Sequence, residues 1–186
     1  MRNFVPACVL FLFLCGTGTY AQTGTKDDFV VQDRVLVKYR GTERNVVIPA
    51  GLGIDRVGER AFAGAFIYTV TVPMGVAYID ERAFAGCSFL KAVSLPNTLV
   101  QLGRRAFFNC FLLEQINMPI SLLVIGDGAF FNCRSLRELD IPGSLKSIGS
   151  RAFSGCTGFE KLSLSRRTKL GEHPFMGVRC SITYKD

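Results

Sequence analysis

Histidine occurs once in the 186-residue chain, at His173 in the stretch Gly-Glu-His-Pro-Phe, and no serine, cysteine or carboxylate constellation recurs around it. A hydrolytic triad or a zinc site needs groups that converge on one point, so the sequence gives no foundation for either, and an enzymatic role is not expected. Phosphate-binding loops are also missing: the glycines of Gly-Thr-Gly-Thr and of later segments are not followed by Gly-Lys-Ser or Gly-Lys-Thr, so they read as turn residues. Long apolar runs are confined to Phe4–Cys15, which is too short to span a bilayer. With Arg2 before it and Thr19-Tyr20-Ala21 after it, this run has the layout of a signal peptide over residues 1–21. Two alternatives stay open: lipidation at Cys15, although Leu14 stands where a lipobox has a small residue, and retention as an uncleaved anchor. The expectation is an exported chain, periplasmic, outer-surface or secreted, with no transmembrane segment in its mature part.

What remains is an ordinary globular balance, 48% apolar and 20% charged, with room for one domain. The net charge is +7. An exported protein meets little nucleic acid, so this basicity is read as a solvated surface or as a match for acidic polymers, anionic headgroups or acidic protein faces.

The dominant signal is repetition. Ala-Phe pairs begin at Ala61, Ala83, Ala106, Ala129 and Ala152, and a degenerate Pro174-Phe175 follows. Pro49, Pro73, Pro96, Pro119 and Pro142 keep the same beat of 23 or 24 residues. A fixed period of this size means a solenoid, in which each copy is one coil stacked on the next. Within a copy, Val93 and Leu95 alternate with Ala92 and Ser94 before Pro96, and Ile116 with Met118, Leu139 with Ile141 and Leu162 with Leu164 repeat that pattern. Such period-two runs are strands with one buried face, closed by a proline that cannot join the ladder. Gly103, Gly126 and Gly149 then suit a backbone turn that a side chain would obstruct. The Ala-Phe-x-x-Cys segment carries apolar residues at helical spacing, which predicts a short helical turn on the opposite wall.

The stretch IGDGAFFNCRSLRELDIPGSLKSIGSRAFSGC resembles the BspA-type, or treponemal-type, leucine-rich repeat, which couples I-G-x-x-A-F-x-x-C to L-x-x-V-x-I-P. The resemblance covers about residues 46–164. It implies an α/β fold: a right-handed leucine-rich-repeat solenoid with a parallel sheet on its concave side. It also implies exported, often surface-exposed proteins that adhere to host proteins or other cells. Residues 22–45 resemble the strand-rich entry that opens such arrays, and residues 46–186 would form about six coils with an irregular last copy.

Cys87, Cys110, Cys133 and Cys156 occupy one repeat slot, so stacking spaces them by one strand separation, about 4.7–5 Å. That lies within disulfide range, but parallel inward-pointing side chains would have to turn toward each other. Buried reduced thiols are the expected state, with Cys180 the exception near the open end. A ladder spreads ligands along a line, so no metal or other cofactor is expected. Arg60, Arg82, Arg105 and Arg151 precede the Ala of successive pairs, with Gly128 as the gap. They read as a water-facing slot, partly neutralised by Glu59, Glu81 and Asp127.

Two candidate binding surfaces follow. The concave sheet face should carry Val47, Thr71, Ser94, Asn117, Asp140 and Ser163 in one column and Asn45, Thr69, Ala92, Gln115, Glu138 and Lys161 beside it. Mostly short and polar, these residues suit an extended protein partner held by many weak contacts. On the convex side, Phe89, Phe108, Phe111 and Phe131 are aromatics that the repeat does not require. They form an exposed anchor or fold inward to fill the solenoid. The leading expectation is a non-enzymatic protein-binding module for host extracellular or envelope proteins, and the alternative is an envelope protein that self-associates as a homo-oligomer.

Overall fold

The strands that close on each proline stack one coil at a time, and the computed structural model describes residues 25–185 of this arrangement. The expected signal peptide lies outside the described residues. An antiparallel hairpin of β1 (Phe29–Gln32) and β2 (Val35–Tyr39) opens the domain. The chain then alternates between two walls through β3 (Asn45–Val47), β4 (Arg56–Val57), β5 (Thr69–Thr71), β6 (Tyr78–Ile79), β7 (Ala92–Ser94) and β8 (Gln101–Leu102). It continues through β9 (Gln115–Ile116), β10 (Val124–Ile125), β11 (Glu138–Asp140), β12 (Ser147–Ile148), β13 (Lys161–Ser165), β14 (Lys169–Leu170) and β15 (Ile182–Lys185). From β2 to β14, every second strand pairs in parallel along the Ile-Gly wall, with β1 added at its edge. The strand wall carries the odd-numbered strands from β3 onward in sheets of four and three.

That division departs from the single sheet expected. β9 and β11 do not pair, so the strand wall has a seam between the coils that hold them. At neighbouring interfaces the Glu114 N–H donates to the Lys91 carbonyl at 2.9 Å and the Glu160 N–H to the Arg137 carbonyl at 2.7 Å. No such bond joins Arg137 to Glu114 among the described residues. Beside the seam a side chain replaces a ladder bond. The Leu95 N–H donates to Asn117 Oδ1 at 2.7 Å and Asn117 Nδ2 donates to the Leu95 carbonyl at 2.8 Å. The equivalent Val72 N–H donates to the main-chain carbonyl of Ser94 at 2.9 Å.

The third wall corrects the expectation of helical turns. The only helical segments among the described residues are short 3-10 turns at Lys26–Asp28 and Ala50–Leu52. Each Ala-Phe segment is instead a pair of tight turns, because two slots in every copy are left-handed. Arg60, Arg82, Arg105, Gly128, Arg151 and His173 occupy the first with φ between 48° and 58°, and Gly64, Gly86, Asn109, Asn132, Gly155 and Gly177 the second. A helix cannot run through such residues. In every coil but the last, the N–H groups of these residues and of the phenylalanine between them are satisfied by the neighbouring coil: the Arg105 N–H donates to the Asp127 carbonyl at 2.8 Å, the Phe107 N–H to the Ala129 carbonyl at 2.7 Å and the Asn109 N–H to the Phe131 carbonyl at 2.9 Å. The arginine slot is thus primarily a backbone device, and Gly128 is the residue best suited to it.

Inside, the five repeat phenylalanines form one spine. Phe62, Phe84, Phe107, Phe130 and Phe153 are buried and stack at 4.8, 5.1, 5.3 and 5.1 Å. Tyr39 extends the stack at one end and Phe175 at the other. Beside the spine runs the cysteine ladder. Each thiol donates to the carbonyl of a phenylalanine one coil earlier: Cys87 to Phe62 at 3.0 Å, Cys110 to Phe84 and Cys133 to Phe107 at 3.2 Å, and Cys156 to Phe130 at 3.0 Å. The slot therefore takes a small hydrophobe with one weak donor, and all four thiols are free and buried. Burial pushes Cys87 and Cys156 up to about 12 and Cys110 and Cys133 well above the ordinary thiol value. Thiolate is the reactive form, so of these five cysteines titration of the native protein should label Cys180 alone at neutral pH, and denaturation should release the other four. Rapid native labelling of a ladder cysteine, or two disulfides in the intact mass, would refute this.

Candidate functional site

Strand-wall geometry follows from register. Parallel pairing aligns Asn45 with Thr69 and Ala92, and Val47 with Thr71 and Ser94, so the two expected columns run along the solenoid. Gln115 continues the first column, opposite Ala92. Beyond the seam Glu138 pairs with Lys161 and Asp140 with Ser163. Asn45, Thr71, Ser94, Gln115, Asn117, Glu138, Asp140 and Lys161 are exposed, whereas Val47, Thr69, Ala92 and Ser163 are half-buried.

The seam also divides the chemistry of this face. From β3 to β9 the columns carry no charge, and their side chains offer hydroxyls and amides. Thr69 Oγ1 donates to Asn45 Oδ1 at 3.1 Å, which ties adjacent rungs together. Asn117 is committed to Leu95 rather than free for a partner. From β11 to β15 the same columns are charged and mutually engaged. Lys161 pairs with Glu138 at 3.2 Å, and Asp140 accepts from Ser163 Oγ at 2.7 Å and from Lys185. Partial burial would raise the Asp140 carboxyl, but these two donors outweigh it and hold it below its ordinary value. The uncharged half has more unclaimed hydrogen-bonding capacity.

The four extra phenylalanines do not form one patch. Phe108 and Phe131 are half-buried and stack at 5.2 Å in an outer row, with the Arg105 guanidinium 5.5 Å above the Phe108 ring. They are neither core nor fully exposed. Phe111 is half-buried under Arg134 at 5.2 Å and makes no ring contact with either among the described residues. Phe89 is 42% exposed, and its ring partner is Phe66 at 4.3 Å.

Phe66 and Tyr68 are the residues that sequence reasoning missed. The first copy runs from Ala65 to Thr69 in four residues where the second takes five from Cys87 to Ala92, so Phe66 slides beside Phe89. Arg44 lies over both Phe66 and Tyr68, at 4.7 and 5.4 Å, and donates to the Tyr68 hydroxyl at 2.8 Å. Phe66, Tyr68 and Phe89 thus form an aromatic rim at the entrance to β5 and β7, bordering the uncharged columns. His173 takes part in no such cluster; it fills the left-handed slot of the last coil. Among the described residues, no group of three or more His, Cys, Asp or Glu could hold a metal ion, and no helix is long and apolar enough to cross a membrane.

A parallel-strand solenoid with a 23-residue beat, a phenylalanine spine and a polar strand face defines a leucine-rich-repeat protein. The BspA-type leucine-rich-repeat region matches residues 55–182 in six copies, and the chain belongs to that family. It is similar to the leucine-rich-repeat protein of T. pallidum, with 25% identity and a TM-score of 0.66 over 84% of this chain and 89% of that one. It is also similar to a leucine-rich-repeat protein from Bacteroides ovatus, at 26% identity and a TM-score of 0.60, covering 77% of this chain and 43% of the other. A leucine-rich cell surface protein from Faecalibacterium prausnitzii shares the fold at 23% identity and a TM-score of 0.61, over 87% of this chain and 54% of that one. Compared with curated proteins, the sequence matches none.

Proposed function

We propose that this protein is an exported, non-enzymatic module that binds protein partners through the uncharged half of its strand wall and attaches its cell to host or envelope proteins. One observation carries the reading. Six coil-spaced side chains, Asn45, Thr69, Thr71, Ala92, Ser94 and Gln115, stand on a hydrogen-bonded parallel ladder and end at an exposed aromatic rim. A partner on such a face meets fixed, short groups that lose little freedom on binding, so contacts that are weak singly add up. Phe66 and Phe89, 46% and 42% exposed, supply the apolar anchor that the polar columns lack. Family membership supports the same reading.

The test uses immobilised host extracellular matrix and an envelope fraction of the producing cell as separate probes. Thr71→Lys with Ser94→Lys should lower retention at least about tenfold with an unchanged melting temperature, because both side chains are exposed. Unchanged retention on both probes would remove the strand wall from consideration. A mass in solution above that of the monomer, abolished by the same pair, would replace this reading with self-association.

A further inference from the structure

Every main-chain hydrogen bond between coils along the Ala-Phe wall has the same polarity. The N–H groups of Arg60, Phe62 and Gly64 donate to the carbonyls of Glu81, Ala83 and Ala85 at 3.1, 2.7 and 2.9 Å. The trio recurs coil after coil, and Arg151, Phe153 and Gly155 finally donate to Glu172, Pro174 and Met176 at 2.9, 2.8 and 2.8 Å. Each of these peptide units points its N–H toward the C-terminal end and its carbonyl toward the N-terminal end. Along this wall the aligned peptide dipoles put their positive pole where the N–H groups emerge, whereas on the Ile-Gly wall Gly103, Gly126, Gly149 and Gly171 donate in the opposite sense, to Ile79, Leu102, Ile125 and Ile148.

They emerge at the last coil. The N–H groups of His173, Phe175 and Gly177 occupy the donor positions of the ladder and have no hydrogen-bond partner among the described residues. His173 and Gly177 are left-handed like the residues in the same slots of the earlier coils, where the three N–H groups reach three separate carbonyl oxygens. Arg167, Lys169 and Arg179 are exposed at the same end and form no ion pair among the described residues; Glu172 is the neighbouring acid. The same end exposes Leu170, Met176 and Tyr184, at 42%, 52% and 43%, with the Arg166 guanidinium 5.2 Å from the Tyr184 ring, and Phe175 ends the ring stack against Phe153 at 5.6 Å. The eight-stranded and the three-stranded sheet have β14 and β15 as their last strands here, with no further strand paired to either among the described residues. The opposite end of the solenoid differs, since the antiparallel β1–β2 hairpin closes it over buried Phe29.

These features together select an occupant. A second copy docking by the same end would set donors against donors and cations against cations. A second copy docking by its other end would present the hairpin rather than coil carbonyls in register. We propose that the C-terminal face binds an acidic linear segment of a partner protein. Carbonyl oxygens at alternate residues of that segment accept from His173, Phe175 and Gly177, as those of Glu172, Pro174 and Met176 do one coil earlier. Its carboxylates meet Arg167, Lys169 and Arg179, and its apolar side chains cover Met176 and Tyr184. This face is separate from the uncharged columns and stands whether or not they bind a partner.

The experiment titrates the full chain with a fluorescent peptide alternating glutamate and threonine, and with a control in which lysine replaces glutamate, while amide exchange is followed by NMR. The acidic peptide should bind, more weakly as salt rises, and slow exchange at His173, Phe175 and Gly177 by at least about tenfold. The lysine peptide should do neither. Arg167→Glu with Lys169→Glu and Arg179→Glu should weaken binding by at least about tenfold and leave the melting temperature unchanged, whereas Thr71→Lys with Ser94→Lys should leave it intact. Slow exchange at the three amides without peptide, together with a doubled mass, would mean that a second copy fills the face and would overturn the proposal. Binding that leaves those amides unprotected, or that is lost only in the strand-wall variant, would overturn it too, as would no binding of the acidic peptide.

Discussion

Phe107→Ala should cost about 3–5 kcal/mol in denaturant melts, the usual range for a fully buried aromatic, and should split the unfolding transition in two. The first effect follows from burial. Phe107 is inaccessible and sits between Phe84 at 5.1 Å and Phe130 at 5.3 Å, with the rings nearly parallel. Truncation leaves a void that a hydrogen-bonded stack of coils closes poorly. The second effect follows from position. The Phe107–Phe130 contact lies at the seam where β9 and β11 fail to pair, so the coils on either side are joined there by two walls instead of three. In a solenoid, stability is close to a sum of coil terms and nearest-neighbour interface terms, and cooperativity fails first at the weakest interface. Phe84→Ala, made where β7 and β9 pair, should cost a similar amount and keep a single transition. A loss below about 1 kcal/mol for Phe107→Ala would mean that the ring is not core. One transition for both variants would mean that the seam carries no energetic weight.

What was legible in the sequence was whatever the repeat expresses as residue identity. Five phenylalanines and four cysteines in identical slots announced a buried spine and a thiol ladder because those side chains fill the same volume in each coil. The Ala-Phe turns were misread for a physical reason. Apolar spacing there suits a helix, and arginine at Arg60, Arg82, Arg105 and Arg151 does not advertise a left-handed backbone. The signal lay in Gly128, which replaces arginine, and in the Gly or Asn at 64, 86, 109, 132 and 155, the residues that tolerate positive φ. The seam had no such signal. Gln115, Ile116 and Asn117 alternate like every other strand, and it is the Asn117 amide turning back to Leu95 that marks the interruption. For the candidate site, the columns were placed by period alone. The aromatic rim was missed because one residue fewer in the first copy moves Phe66 out of its expected row.

Gly126→Ala addresses the same seam from the Ile-Gly wall and should cost about 1–3 kcal/mol, the range for forcing atoms into packed space. Gly126 needs no unusual φ; its constraint is proximity. A Cβ there would lie 2.7 Å from the Arg104 nitrogen and 2.8 Å from the Gly103 carbonyl carbon, main-chain atoms of the preceding coil that no rotamer change can move. The added methyl must therefore push two coils apart. Gly149 makes a closer approach one interface later, with Asp127 Oδ1 and the Asp127 nitrogen (2.5 Å) nearer than the Gly126 carbonyl carbon at 2.6 Å, but there β11 and β13 pair across the strand wall. Both substitutions thus press on the main chain of the preceding coil, at interfaces held by different numbers of walls. Hydrogen exchange separates them. In Gly126→Ala, amides of residues 129–185 should exchange as a block at lower free energy than those of residues 29–102, because pushing on a two-walled seam frees the C-terminal coils as a unit. In Gly149→Ala the destabilisation should stay distributed over the array. Asp80 occupies this glycine slot two interfaces earlier, where its carboxylate pairs with Arg56 at 2.7 Å. Equal exchange patterns in the two variants would show that the Ile-Gly and Ala-Phe walls alone hold the solenoid together, and that the open strand wall at β9 and β11 costs the molecule nothing.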